Sequence, residues 1–251
     1  MCASNSSAPT SFEDLLNRKN DQVGLSLLLI LSWISASDGN IDEQEKKDIF
    51  SIAAAGNNSE SVPLILSLAK RGDLASIQLA CEVLRVAFTG ERAKLLMELA
   101  IGIAISDRFL LPSENHILRF LADLLGVSPS TLNDDFERNT GKPLPNAPDV
   151  STHEYWYTKQ QRNNSNKQES KESSSSERGQ PNREQTKTAH SYATLGLEHG
   201  ASKEEIKNAY RRLAKVHHPD RFHSLGDEAV EAAHVTFTRI QNAYNHLYSN
   251  A

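Results

Sequence analysis

The sequence predicts an all-α protein: an N-terminal helical bundle joined by a disordered linker to a C-terminal helical hairpin. Three observations predict it. Residues 11–138 read as successive amphipathic or apolar helices, and no stretch alternates as a strand would. Within the linker at 142–189, the run 160–188 is almost free of apolar side chains. Residues 190–251 carry a seam of apolar residues spaced three and four apart. With 251 residues, 38% apolar and 24% charged, the chain has room for one or two ordinary domains of average make-up.

Thr10 with Glu13 forms a capping-box signature ahead of a first short helix. The run from Asp21 to Ser37 is apolar nearly all round, which suits the central helix of a bundle. Its apolar part is about 14 residues, short of the roughly 20 that span a bilayer, so no membrane span is expected. Arg18, Lys19 and Ala36 lend it some likeness to a secretion signal. Glu13, Asp14 and Asp21 spoil the basic leader, and a buried helix is the preferred reading. "DGN" at 38–40 breaks this helix, and Asp42 with Glu45 caps the next. Further helices are expected at 62–71, 73–88, 91–106 and 114–125. Ser128 and Pro129 supply an N-cap and a first-position proline for a last short one.

An internal echo runs through this region. At a shift of about 69 residues, Asp38 meets Asp107 and Glu45 meets Glu114. The echo fits either a duplication packed as two like hairpins or two unrelated helix–turn–helix units. A duplication would let Asp38, Asp42, Glu45, Asp107 and Glu114 converge as weak candidates for a divalent cation. Helix capping already explains Asp42 and Glu45. The EF-hand pattern fails, since Glu43 stands where glycine belongs and Ile49 where the closing glutamate belongs. No cofactor is expected.

Charge is unevenly spread. Residues 1–141 hold 12 Lys+Arg against 19 Asp+Glu, residues 142–189 hold 8 against 6, and residues 190–251 hold 7 against 7. No segment is basic enough to make nucleic acid the main partner. Cys2 and Cys81 form neither a CxxC pair nor a disulfide framework, which suits a reducing cytoplasm, and cytoplasmic is the expected location.

Pro143, Pro145 and Pro148 stop any helix early in the linker. The polar run that follows cannot bury enough surface to offset its chain entropy. Tyr155, Trp156 and Tyr157 stand out in it: they fit a docking patch for a partner or a contact with the chain's own surface.

The C-terminal part opens with "YATLGL", 192–197, a short helix whose Tyr192 and Leu195 should cover the open end of a hairpin. Ser202 and Glu205 cap the first hairpin helix. Ile206, Tyr210, Leu213 and Ala214 line one face of it, and Lys207, Arg211 and Lys215 recur every fourth residue on another. Val230, Ala233, Phe237, Ile240, Tyr244 and Leu247 mark the second helix. Between the two lies His218-Pro219-Asp220.

Catalysis is a poor account of that tripeptide. Proline separates the imidazole from the carboxylate, nothing excludes water, and no nucleophile motif is near, so no enzyme is expected. A stiff plug is a better account. Pro219 fixes its own backbone and ends the helix, so little entropy is lost on binding. Asp220 then offers a carboxylate to a partner's arginine, and the basic stripe steers the tip onto an acidic surface.

"YATLGL", "EEIKNAYRRLAKVHHPDRF" and "FTRIQNAYNHLY" together resemble a J domain, the module of DnaJ-type co-chaperones, over essentially all of residues 190–251. The resemblance implies a DnaK-class heat-shock chaperone as partner and stimulation of its ATPase as the activity. It assigns His218, Pro219 and Asp220 as the signature and Lys207, Arg211, Arg212, Lys215 and Arg221 as the chaperone-binding face. Tyr210, Leu213, Phe237 and Tyr244 match its core. Two positions depart: His217 stands where tyrosine is usual, and Val216 replaces a basic residue.

A C-terminal J domain behind "SASDGNIDEQE" is similar to DjlA-type proteins, and the helical part resembles a TerB-like domain. The boundaries expected are 10–141, 142–189 and 190–251. The function implied is that of a co-chaperone whose N-terminal domain selects a location or client, an envelope-associated protein among them. The alternative is a stress- or metal-responsive scaffold that recruits a chaperone secondarily. The linker would give the J domain a reach on the order of 35–40 Å.

Overall fold

The computed structural model describes residues 9, 11–39, 41–105, 110–147 and 183–250, with backbone alone at Asp38 and 183–186. Among them are eleven α-helices and no strand, as the sequence predicts. Tyr155, Trp156, Tyr157 and most of the polar linker lie outside the described residues.

The N-terminal domain is built around α2 (Gln22–Ser35). Every residue from Gly24 to Ser32 is buried, as the all-round apolar pattern requires, and α3, α4, α5 and α6 all pack on it. Before it, α1 (Phe12–Arg18) is capped by Ser11, not Thr10: the Ser11 hydroxyl accepts from Asp14 N–H at 3.1 Å. The glutamate partner of a reciprocal box therefore does not set this helix start. Next come α3 (Glu43–Ala55), α4 (Val62–Arg71), α5 (Leu74–Ala87), α6 (Glu91–Ala104), α7 (Pro112–Leu124) and α8 (Pro129–Thr140).

Adding 69 to the bounds of α2 gives those of α6, and adding 69 to the first residue and last residue of α3 gives those of α7. The capping glutamates obey the same shift. Glu45 accepts from Asp42 N–H and Glu114 from Leu111 N–H, each at 2.7 Å. The echo is thus a repeat of structure as well as of letters.

After α8 the chain stays on the bundle. Leu144 is buried, and Asn115 and Arg119 both donate to the Pro145 carbonyl at 2.9 Å. The C-terminal part then begins with α9 (Arg183–Thr194), whose start lies inside the stretch expected to be linker. It continues through α10 (Lys203–Val216), a 3-10 turn at Pro219–Leu225 and α11 (Asp227–Asn250). Tyr192 and Leu195 close a small core with Ile206, Ala209, Leu213, Ile240, Ala243 and Leu247, as expected for the open end of a hairpin.

The 3-10 turn and the first half of α11 do something the seam did not forecast. Phe222, Leu225, Ala229, Ala232 and Ala233 join the buried apolar cluster of the N-terminal domain. There α11 lies against α2, α3 and α6, and the turn before it lies against α6. The alanines keep this half of the helix thin, so that two helices can approach closely.

Candidate functional site

The tip is assembled by local forces. Ser202 caps α10, accepting from Glu205 N–H at 3.3 Å while Glu205 accepts from Ser202 N–H at 2.7 Å. The helix runs to Val216, and His217 forms its C-cap. His218 leaves the helical region with φ −65° and ψ 125°, as a residue before proline must. Pro219 then opens the 3-10 turn.

His218 and Asp220 are both exposed, and the turn is braced from within. The Asp220 N–H donates to His218 Nδ1 at 3.3 Å, leaving Nε2 to carry the proton in the neutral ring. The Asp220 carboxylate stands 3.5 Å from His218 Nδ1 and 3.8 Å from His223 Nε2. The edge of one ring meets the other where His218 stacks on Phe237, centroids 5.8 Å apart. An anchored imidazole and a forward carboxylate are what a plug requires, and solvent access on every side is what a catalytic dyad lacks.

Lys207, Arg211 and Lys215 are all exposed, at every fourth position of the helix that ends at the tip. Two other residues assigned with them point elsewhere. Arg221 pairs with Glu98 of α6 at 2.7 Å and donates to the Val216 carbonyl. Arg212 is half-buried, and its guanidinium lies against Gly141 at the end of α8. Both arginines face the N-terminal domain. Tyr210 and Tyr244 stack at 4.3 Å but stay half-buried, so they rim the hairpin core that Leu213 fills.

Sequence reasoning missed the residues opposite the tip. His217 is buried beside Gly102 of α6, and burial with the nearby Arg221 charge pushes its pKa down to about 4. Glu228 is buried beside Gly24, Gly56 and Asp21, and Asn58 donates to it at 2.9 Å. Burial, with Asp21 next, pushes its pKa up to about 7. Arg239 pairs with Asp48 of α3, and Ser51 donates to Glu231 at 2.5 Å. Only "QVGLS" and "AIGIA", glycines inside apolar helices, hinted that something presses there.

Three of the cation candidates are otherwise engaged. Asp42 caps α3, accepting from Gln44 and Glu45 N–H at 2.7 Å, and Glu45 and Glu114 complete the reach-back bonds. Ser37 stands 3.5 Å from Glu114, so the two turns of the repeat do meet. Asp107 and the Asp38 side chain lie outside what is described. Among the described residues no group of three His, Cys, Asp or Glu is set to hold a metal. The Cys81 thiol is buried, and burial pushes its pKa up to about 11, far from a nucleophile's range. No helix among the described residues is long and apolar enough to cross a membrane.

Comparison with known proteins agrees with this division. The DnaJ domain family matches residues 190–251, and the family described as tellurite resistance protein TerB matches residues 24–134. "Chaperone protein DnaJ" of Bacillus mycoides (strain KBAB4) is 52% identical over 56 residues, 22% of this chain and 14% of that protein. "Chaperone protein DnaJ" of Xanthomonas axonopodis pv. citri (strain 306) gives the same figures. The chain therefore spans about one-seventh of the length of the curated relatives it matches. No solved structure gives a significant match.

Proposed function

This chain joins a TerB domain to a DnaJ domain, and on that premise we propose that it is a co-chaperone that binds a DnaK-class chaperone and stimulates its ATP hydrolysis. The observation that carries the reading is the His218-Pro219-Asp220 tip, with His218 and Asp220 exposed, at the end of the helix that carries exposed Lys207, Arg211 and Lys215. The stripe steers the domain onto an acidic surface, and Asp220 is offered to an arginine of the chaperone. The tip is stiff before it binds, because Pro219 fixes one backbone angle and His218 ties down the Asp220 N–H. The N-terminal domain selects the location or client, and it raises the chaperone's local concentration there.

The test is direct. His218→Gln or Asp220→Asn in the full chain should abolish stimulation of a DnaK-class ATPase while circular dichroism shows unchanged helix content. Lys207→Ala with Arg211→Ala should weaken binding and flatten its dependence on salt. Full stimulation by either tip variant would remove the reading.

A further inference from the structure

The DnaJ domain meets the N-terminal domain through a surface with the marks of a built interface. Five glycines lie on it. At Gly102 an added Cβ would strike the His217 ring, and at Gly24 and Gly56 it would strike the Glu228 carboxyl. At Gly196, with φ +67°, it would come within 2.8 Å of the Thr140 carbonyl, and at Gly141 within 2.7 Å of the Arg212 guanidinium. Gly102 is the most telling. Glycine inside a helix costs about 1 kcal/mol relative to alanine. Here the missing methyl is the space a rigid, fully buried ring occupies.

The polar groups of the two sides are matched as well. Arg221 meets Glu98, which Arg138 of α8 holds from the other side at 2.7 Å. Arg239 meets Asp48, Glu231 accepts from Ser51, and Glu228 receives Asn58. Phe222 and Leu225 fill the apolar centre.

We propose that the face made by α2, α3, α6 and the end of α8 is a docking seat for this chain's own DnaJ domain, and that the domain works from that seat instead of from the end of a free tether. The seat takes the flank of the DnaJ domain that carries His217, Arg221 and Glu228. It leaves Lys207, Arg211, Lys215, His218 and Asp220 in solvent. The departure from tyrosine at position 217 follows: that residue serves the seat. Arg212 and Arg221, which the family resemblance assigns to the chaperone, serve it too.

The proposal rests on the chaperone reading only for what the free face is for. A double-mutant cycle on the full chain tests the seat with no chaperone present, so either idea can fail alone. Gly102→Ala should lower the Tm by about 3 °C or more, although alanine is the better helix former. In a His217→Ala background the same change should do nothing or raise the Tm, because the ring it strikes is gone. Should Gly102→Ala not yield folded protein, Asp48→Arg and Arg239→Asp decide: each alone should lower the Tm, and together they should restore most of it. Additive effects in the deciding cycle would overturn the seat.

Discussion

Glu228 and His217 put two titrating groups of opposite habit in one interface. Asp21 lies beside Glu228, its carboxylate accepting from Gly24 N–H at 2.9 Å and from Asn58 at 2.8 Å. With its pKa raised from 4.5 to about 7, Glu228 stabilises the fold fully below pH ~4.5 and loses that contribution as pH rises through 7. His217, lowered from 6.5 to about 4, contributes fully above pH ~6.5 and is lost as pH falls through 4. Between those limits the two slopes oppose each other. Urea unfolding of the full chain should therefore show a flat optimum near pH 5–6 and a decline toward pH 8. Glu228→Gln keeps the bonds to Asn58 and Asp21 without the charge, so its stability should rise to pH ~6.5 and then hold level. Parallel curves for the variant and the parent would show that Glu228 carries no proton in the fold. None of this was legible beforehand, because the burial that leads both shifts comes from helices far off in sequence.

The helices themselves were legible because their signals are local. Asp42 with Glu45, Ser202 with Glu205 and Ser128 with Pro129 each announce a helix start from within four residues, and each start is where the structure has it. At the N-terminus the same logic chose Thr10 over Ser11, since a reach-back glutamate outweighs a plain serine on paper. The seam of α11 was half legible. Ile240 and Leu247 fill the hairpin core as its spacing foretold, while Ala229, Ala232 and Thr236 turn to the N-terminal domain. Alanine and threonine are weak periodic markers, and their partners on α2, α3 and α6 are all more than a hundred residues away. Capping losses should spread accordingly. Ser202→Ala and Asp42→Ala should each cost about 1 kcal/mol. Although they sit in different domains, each should move the same main unfolding transition, since the seat couples the two cores. Two separable transitions, each answering to only one of the variants, would show uncoupled domains.

At the scale of the whole chain, the polar composition of the linker favoured a C-terminal domain swinging on a tether with a reach of tens of ångströms, whereas the structure has that domain against α3 and α6. The two arrangements respond differently to linker length. A docked domain needs the linker only to keep the local concentration high, and doubling a flexible connection costs about 0.6 kcal/mol of closure entropy. Against a seat built from an apolar centre and several ion pairs, that is a small loss. Inserting a Gly/Ser stretch between residues 170 and 171, long enough to double the connection from 147 to 183, should leave the Tm within a few degrees of the parent. Chaperone ATPase stimulation should also be unchanged. Spin labels placed at exposed Glu82 and Ser249 should report the same narrow distance distribution with and without the insert. On a free tether the mean separation grows roughly as the square root of linker length, so doubling the linker would widen and shift that distribution by about 40%. A distribution that follows linker length in this way would return the N-terminal domain to the role of a distant anchor. One that ignores it would show that contacts between the two domains, and not the length of the connection, set the distance between them.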